Sequence, residues 1–298
     1  MTVLHTIRGW CAGLCLVAIA AIGTATLHAQ AKLESPEPVS PVVLSLLDSK
    51  LQNLQDRQDA LFEKLANTKN EDDQEALRGQ MYNIVREYES LCTSNPYETT
   101  PLLLFGKLLR KIGERERAHE VFMRANAIDP KIAVVKQQLA NYFAEAEDHR
   151  GALLFFLAAV ELAPHQALYH FSLGHCIDTF RDKYIADGAY TREVLDRLML
   201  KAFAEAIAFA PENHDYHFRY GEAFYDVEKP DWNAALRHWE QFQEKAKPGA
   251  ETDAVKLHRA RVLIELGRGE EALPLLESVA SPVLEATKAQ LLKRIEKK

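Results

Sequence analysis

The side chains best suited to chemistry are crowded into one stretch of the chain. His165, His170, His175, His214 and His217 fall there, with Cys176 among them. Imidazole and thiolate are the usual zinc ligands, so a metal site is the first reading to test. Two ligands on one helix must share a face, and the five-residue step from His170 to His175 prevents that. No H-E-x-x-H or C-x-x-C spacing occurs anywhere. Glu222 and Asp226 stand four apart and would share a helix face, as a general acid and base must. Such a pair also needs a dry pocket that drives its two pKa values apart. No G-x-S-x-G, phosphate-binding loop or G-x-G-x-x-G is present. The residues therefore predict no metal, no cofactor and no enzyme, and the histidines read as packing and surface groups.

Composition narrows the class further. Of 298 residues, 47% are hydrophobic and 27% charged, a mixture that can bury a core. Asp and Glu number 43 against 36 Lys and Arg, which argues against nucleic acid as the partner, because phosphates need clustered positive charge. Arg8 precedes a run, 9–31, without a charged side chain. Cys11 to Ile22 is its apolar centre, and Ala29-Gln30-Ala31 fits the small-x-small cleavage pattern. Residues 1–31 thus predict a signal peptide cut after Ala31 and a periplasmic or secreted protein. The alternative is an inner-membrane anchor formed by an uncleaved 9–31. Cys11 and Cys15 stand at the start of the apolar run, where a lipid-bearing cysteine would not. The mature chain keeps 35 basic and 43 acidic groups, with Cys92 and Cys176 as its two thiols.

The elements that must position these residues are helical. Residues 32–41 carry prolines without periodicity and read as a linker. Leu44, Leu47, Leu51, Leu54, Leu61 and Leu65 then follow a heptad seam, with Gln58 at one seam position. A polar stretch, 67–74, separates it from a second seam at Leu77, Met81, Ile84, Tyr88 and Leu91. Residues 42–96 therefore predict an antiparallel helical hairpin. It either packs on the next domain or forms a coiled coil that makes a homo-oligomer. Beyond it the chain repeats. Pro96, Pro130 and Pro164 are each 34 residues apart, and Ala118/Ala152, Phe122/Phe156 and Ala125/Ala159 keep the same spacing.

At these residues the sequence resembles the tetratricopeptide repeat family, whose unit is a 34-residue pair of antiparallel helices. Phe105-Gly106, Leu109, Gly113, Ala118, Phe122, Ala125 and Pro130 supply the pattern in the first repeat. Leu139-Ala140, Phe143, a displaced Gly151, Ala152, Phe156, Ala159 and Pro164 supply it in the second. A third repeat carries Leu173-Gly174, Ile177, Phe203, Ala206 and Pro211, with 13 extra residues. The insertion, 180–192, reads either as a longer helix pair with a bent tip or as a lip over a groove. A fourth carries Tyr220-Gly221, Phe224, Ala235, Trp239 and Pro248. A fifth carries Ala260, Leu263, Gly267, Ala272 and Leu276. The resemblance covers about 99–282 and implies an all-α chain, an α-α superhelix of five repeats over 97–282 preceded by the hairpin, 42–96, which is either a separate element or a divergent first repeat. Residues 283–298 would form a capping helix.

The resemblance also implies a site. In the family the first helix of each repeat lines a concave groove that holds a peptide. Matched positions are Leu103, Lys107, Arg110 and Lys111 in the first repeat, and Gln137, Asn141 and Glu145 in the second. Phe171, His175 and Asp178 stand in the third, and Phe218, Glu222, Tyr225 and Asp226 in the fourth. Leu257, Arg261 and Ile264 complete the set in the fifth. The groove would be basic at its start and acidic with exposed aromatics at its middle, where hot spots are expected. Chaperone-binding members clamp a terminal carboxylate with Lys, Asn and Arg. Asn141 suits that role, but Leu168 and Ser172 depart from it. His170 and His217 fall where the family packs a bulky side chain. Cys92 and Cys176 would be separated by whole repeats, too far to bridge, so two buried free thiols are expected. The function expected is non-enzymatic binding of a protein or peptide segment in the cell envelope. The alternative is an oligomer assembled through 42–96, similar in layout to a periplasmic cell-division coordinator.

Overall fold

The computed structural model describes residues 41–296. The signal peptide 1–31, nearly all of the linker 32–41 and the last two residues of 283–298 lie outside the described residues. Thirteen α-helices succeed one another, with no strand among the described residues. The chain divides into two compact units, one ending at Tyr142 and the other beginning at Phe143.

The first unit opens with α1 (Pro41–Asn67) and α2 (Glu71–Ser94). Helix α1 begins at Pro41, the last residue of the expected linker, because proline's fixed φ suits a first helical position. Asn70 starts α2 by accepting the N–H groups of Asp72 and Asp73. Leu47, Leu51, Leu54 and Leu61 are buried along α1. Helix α2 buries more than one seam: Val85 and Cys92 join Met81, Ile84 and Tyr88. The broader stripe exists because α2 packs on α1 and also on α3 (Thr99–Lys111). Tyr88, fully buried, stacks on Phe105 of α3 at 5.8 Å. The hairpin thus shares its packing with α3. Helix α4 (Arg115–Ile128) pairs with α3, and α5 (Ala133–Glu145) comes next.

The second unit contains α6 (His149–Leu162), α7 (Ala167–Ala186), α8 (Arg192–Phe209), α9 (His214–Asp226) and α10 (Trp232–Gln243). It ends with α11 (Ala250–Glu265), α12 (Gly269–Glu277), a 3-10 turn at Pro282–Leu284 and α13 (Glu285–Glu296). Neighbouring helices pack in chain order, and α13 covers α11 and α12.

In three of the pairs a glycine of one helix lies against a ring of the other. A Cβ on Gly106 would lie 2.6 Å from the Phe122 ring, on Gly174 2.6 Å from Phe203, and on Gly221 2.2 Å from Trp239. Pairs end alike as well. Helices α2, α4, α6 and α8 stop at Ser94, Ile128, Leu162 and Phe209, each two residues before a proline. The residue between, Asn95, Asp129, Ala163 or Ala210, has φ between −130 and −140°. A residue before proline is driven out of the helical region, so the sequence stops the helix there.

The turn inside each pair differs from expectation at one point. Gly113 has φ 90°, and Gly267 has φ 75°. The family pattern places a displaced Gly151 in the second repeat, but Glu147, 34 residues after Gly113, takes the left-handed position at φ 58°. Asp148 N–H then donates to the Phe143 carbonyl as Glu114 N–H does to Leu109.

The insertion in the third repeat lengthens α7 and α8 to 20 and 18 residues, against 13 and 14 in the first pair. It is a longer helix pair, and its tip ties neighbouring turns together. Asp187 accepts from Arg150 at 2.7 Å and lies 2.6 Å from His149 Nε2. These two partners pull its carboxyl down to about 2 against the opposing effect of burial. Tyr184 Oη donates to the His149 carbonyl. On the other side Arg181 and Arg192 both donate to the Asp226 carbonyl.

Candidate functional site

The first helices of the second unit, α7, α9 and α11, bring seven polar side chains around an open cavity of about 450 Å³. Asp178 comes from α7, Arg219, Glu222, Tyr225 and Asp226 from α9, and His258 and Arg261 from α11. Of the residues matched to the family groove, Asp178, Glu222, Tyr225, Asp226 and Arg261 therefore meet in one place. Arg219 and His258 join them without being matched positions. A signal for both exists in the sequence: Arg219 precedes Glu222 by three and Asp226 by seven, and His258 precedes Arg261 by three, which is one helix face.

Within the cavity the charges are unevenly engaged. Arg219 donates to Asp178 at 2.6 Å and to Asp226 at 3.1 Å, and its guanidinium lies 4.9 Å from the Phe203 ring. Asp178 also accepts from the buried Arg181 at 2.8 Å. Arg261 stacks over Tyr225 at 3.7 Å. Tyr225 Oη donates to the His258 carbonyl at 3.3 Å, and Glu222 stands 4.0 Å from His258 Nε2. Burial, helped by the nearby Arg261, lowers the His258 pKa to about 4, so the ring is neutral at neutral pH. Burial likewise pushes the Tyr225 phenol up, and it acts as a hydroxyl, not a phenolate. The Glu222–Asp226 pair does not stand apart as an acid and base, because Asp226 is bound to Arg219.

The remaining matched residues separate into exposed, half-buried and buried groups. In the first unit Lys107 is exposed, while Leu103, Arg110 and Asn141 are half-buried. Lys111 is exposed, with its ammonium 3.6 Å from the Phe62 ring in a cation–π contact. Gln137 is a correction, buried at 8% exposure, its amide oxygen accepting from Gln138. In the second unit Leu257 and Ile264 are buried too. Glu145 and His175 are exposed. The expected exposed aromatics are corrected to half-buried rings. Phe171 stacks on Tyr216 at 4.3 Å, and Phe218 meets Phe242 edge-on at 5.2 Å and Trp239 at 5.7 Å. Phe171 thus packs against the next pair, and Phe218 against the second helix of its own pair.

The histidines have structural partners. His170 Nε2 lies 2.7 Å from the Pro164 carbonyl and His217 Nε2 2.9 Å from that of Pro211. A carbonyl only accepts, so Nε2 carries the proton in both. Each ring thus ties a first helix to the proline turn before it. His214 pairs with Glu251. Among the described residues no group of three or more His, Cys, Asp or Glu side chains is placed to hold a metal ion. Cys92 and Cys176 are both free and buried. No helix among the described residues is long and apolar enough to cross a membrane.

No protein-family model matches the chain, and no curated protein matches it. Solved structures do. YrrB, described as a tetratricopeptide protein with an unusual peptide-binding site, is 16% identical with a TM-score of 0.53, covering 68% of this chain and 91% of its own. MamA of Desulfovibrio magneticus RS-1, from residue 41 to its end, is 19% identical with a TM-score of 0.45, covering 64% of this chain and 94% of its own. PilF of Pseudomonas aeruginosa is 13% identical with a TM-score of 0.47, covering 80% and 98%. The likeness to YrrB, together with the stacked helix pairs, shows the fold: all-α, of the tetratricopeptide α-α superhelix class.

Proposed function

We propose that this chain is an exported interaction scaffold that binds a peptide segment of a partner protein along the first helices of its repeats. The observation that carries the reading is the convergence of Asp178, Arg219, Glu222, Tyr225, His258 and Arg261 from three separate first helices on one open cavity. Charged groups beside a half-buried ring on a rigid helical wall suit recognition of an extended segment. The peptide-binding site named for YrrB, on the same fold, supports the reading. Export rests on the uncharged run 9–31 and the Ala29-Gln30-Ala31 pattern.

A photo-crosslinking side chain placed at Glu222 tests the site in intact cells, with the exposed Arg237 on α10 as the control position. Polypeptide adducts should form from 222 and not from 237. Equal adducts from both, or none from 222, would refute the reading. N-terminal sequencing of the purified protein should begin at Lys32. A chain recovered in the membrane fraction with 9–31 intact would replace export with anchoring.

A further inference from the structure

We infer that Arg261 receives a carboxylate of the bound segment, and that the last helix, α13, forms the wall of an adjoining pocket for the apolar side chain next to that carboxylate. This rests on the groove reading above and adds the ligand's chemistry to it.

The two cations of the cavity differ in what already holds them. Arg219 is committed to Asp178 and Asp226. Arg261 Cζ lies 3.7 Å over the Tyr225 ring, a contact that uses the face of the guanidinium and not its N–H donors. Its Nε is buried without an acceptor, as are those of Arg181 and Arg259, but their terminal N–H groups are hydrogen-bonded. Among the described residues, the other arginines that are buried or half-buried all have polar partners. Arg117, Arg181, Arg192, Arg259 and Arg294 are hydrogen-bonded or ion-paired like Arg219, and Arg110 is engaged too. A half-buried guanidinium without an acceptor is costly, and a carboxylate is the group that accepts two of its parallel N–H bonds.

Access then fixes the direction of approach. On the α9 side the cavity wall holds Glu222 and Asp226, which repel an anion. On the other side a second cavity of about 500 Å³ shares His258 and Arg261 with the first. Its apolar lining is Leu257 of α11 with Leu284 and Leu291, and Thr287 and Gln290 of α13 line it too. Its other cation, Arg294, is bound to Glu265 at 2.7 Å. A carboxylate entering this cavity therefore finds Arg261 as its cation without a polar partner, and an adjacent leucine-like side chain falls against Leu257, Leu284 and Leu291. Neutral His258 between the cavities adds no competing charge.

The test pans displayed random dodecapeptides with free C-termini over the mature chain, 32–298. Synthetic forms of the enriched peptides are then made with Asp/Glu changed to Asn/Gln, or with the C-terminus amidated, to tell a side-chain carboxylate from a terminal one. Enriched peptides should share a carboxylate within two residues of Leu, Ile, Met or Phe. Arg261→Gln should weaken them about tenfold or more. Arg261→Lys, which keeps charge but not the planar fork, should fall between, and Leu284→Ala should weaken binding without moving the carboxylate preference. Thermal melts of each variant separate lost binding from lost folding. Peptides that crosslink at position 222 yet share no carboxylate, or ignore Arg261→Gln, would overturn this inference and leave the groove standing. Peptides that crosslink nowhere on α7, α9 or α11, or no enrichment at all, would overturn both.

Discussion

At the scale of single residues, the structure turns composition into contact. Gly221 and Gly79 are both helical glycines, yet they differ in what a methyl group would meet. A Cβ at 221 would strike the fully buried Trp239 ring, whereas at 79 nothing lies within 4 Å. Gly221→Ala should therefore cost roughly 1–3 kcal/mol through overpacking. Gly79→Ala should add about 0.5–1 kcal/mol through helix propensity. Urea denaturation of the two variants checks both signs. The buried imidazoles set a pH dependence. Burial lowers His238 to about 4, against the weaker opposing bond to the His217 carbonyl, and burial and Arg261 lower His258 to about 4. In the unfolded chain both titrate near ~6.5. Between those values the unfolded state binds protons that the folded state refuses. Stability is therefore full above pH ~6.5 and falls as pH drops toward 4. The urea midpoint should decline over that window, and His238→Gln should flatten the decline. Burial also raises both thiols to about 11. Iodoacetamide at pH 8 should label neither in the folded mature chain and both after denaturation.

At the scale of elements, the repeat's punctuation was legible where it depends on covalent geometry. Three of the four prolines that stand two residues past helix ends could be placed from their 34-residue spacing, and Pro211 from the repeat pattern with its insertion, because proline constrains the residue before it. The turn inside the pair was harder to read. Its geometry needs one left-handed residue, and the second repeat fills that place with Glu147 at φ 58°. No glycine marks it, so a match by residue type slides four positions to Gly151. Holding a non-glycine residue there costs about 1–2 kcal/mol. Glu147→Gly should raise stability by up to about 1 kcal/mol, since glycine's greater unfolded-state freedom offsets part of the gain. Scanning calorimetry of the variant decides it. The insertion shows a different limit. Its length was countable, but its role came from partners elsewhere in the chain, Arg150 on one side and the Asp226 carbonyl on the other.

At the scale of the whole molecule, the hairpin is the informative piece. Its seams alone fit either an oligomerising coiled coil or a pair laid on the next helices. Within the first unit α2 buries Val85 and Cys92 beyond the seam and stacks Tyr88 on Phe105. Deleting 32–95 should therefore uncover the α3 face carrying Leu102 and Phe105 and lower the melting temperature, with increased binding of a hydrophobic dye. A deletion that leaves the melt unchanged while turning an oligomer into a monomer would favour the assembly reading. Sedimentation velocity on both forms gives the mass.

The periodic part of this protein is written in its residues: helices, their ends, and the pairing of a small residue with a ring. Those come from local backbone sterics and from a spacing that a repeating unit imposes on its own chain. Which groups on the first-helix face are already engaged emerges only on folding. Lys111 lies over Phe62, Gln137 is buried, Phe171 and Phe218 are packing rings, and Arg219 is held between two carboxylates. Engagement depends on distances between side chains far apart in sequence, which no spacing encodes. That is why Arg261, one matched position among many in the sequence, stands out in the folded chain.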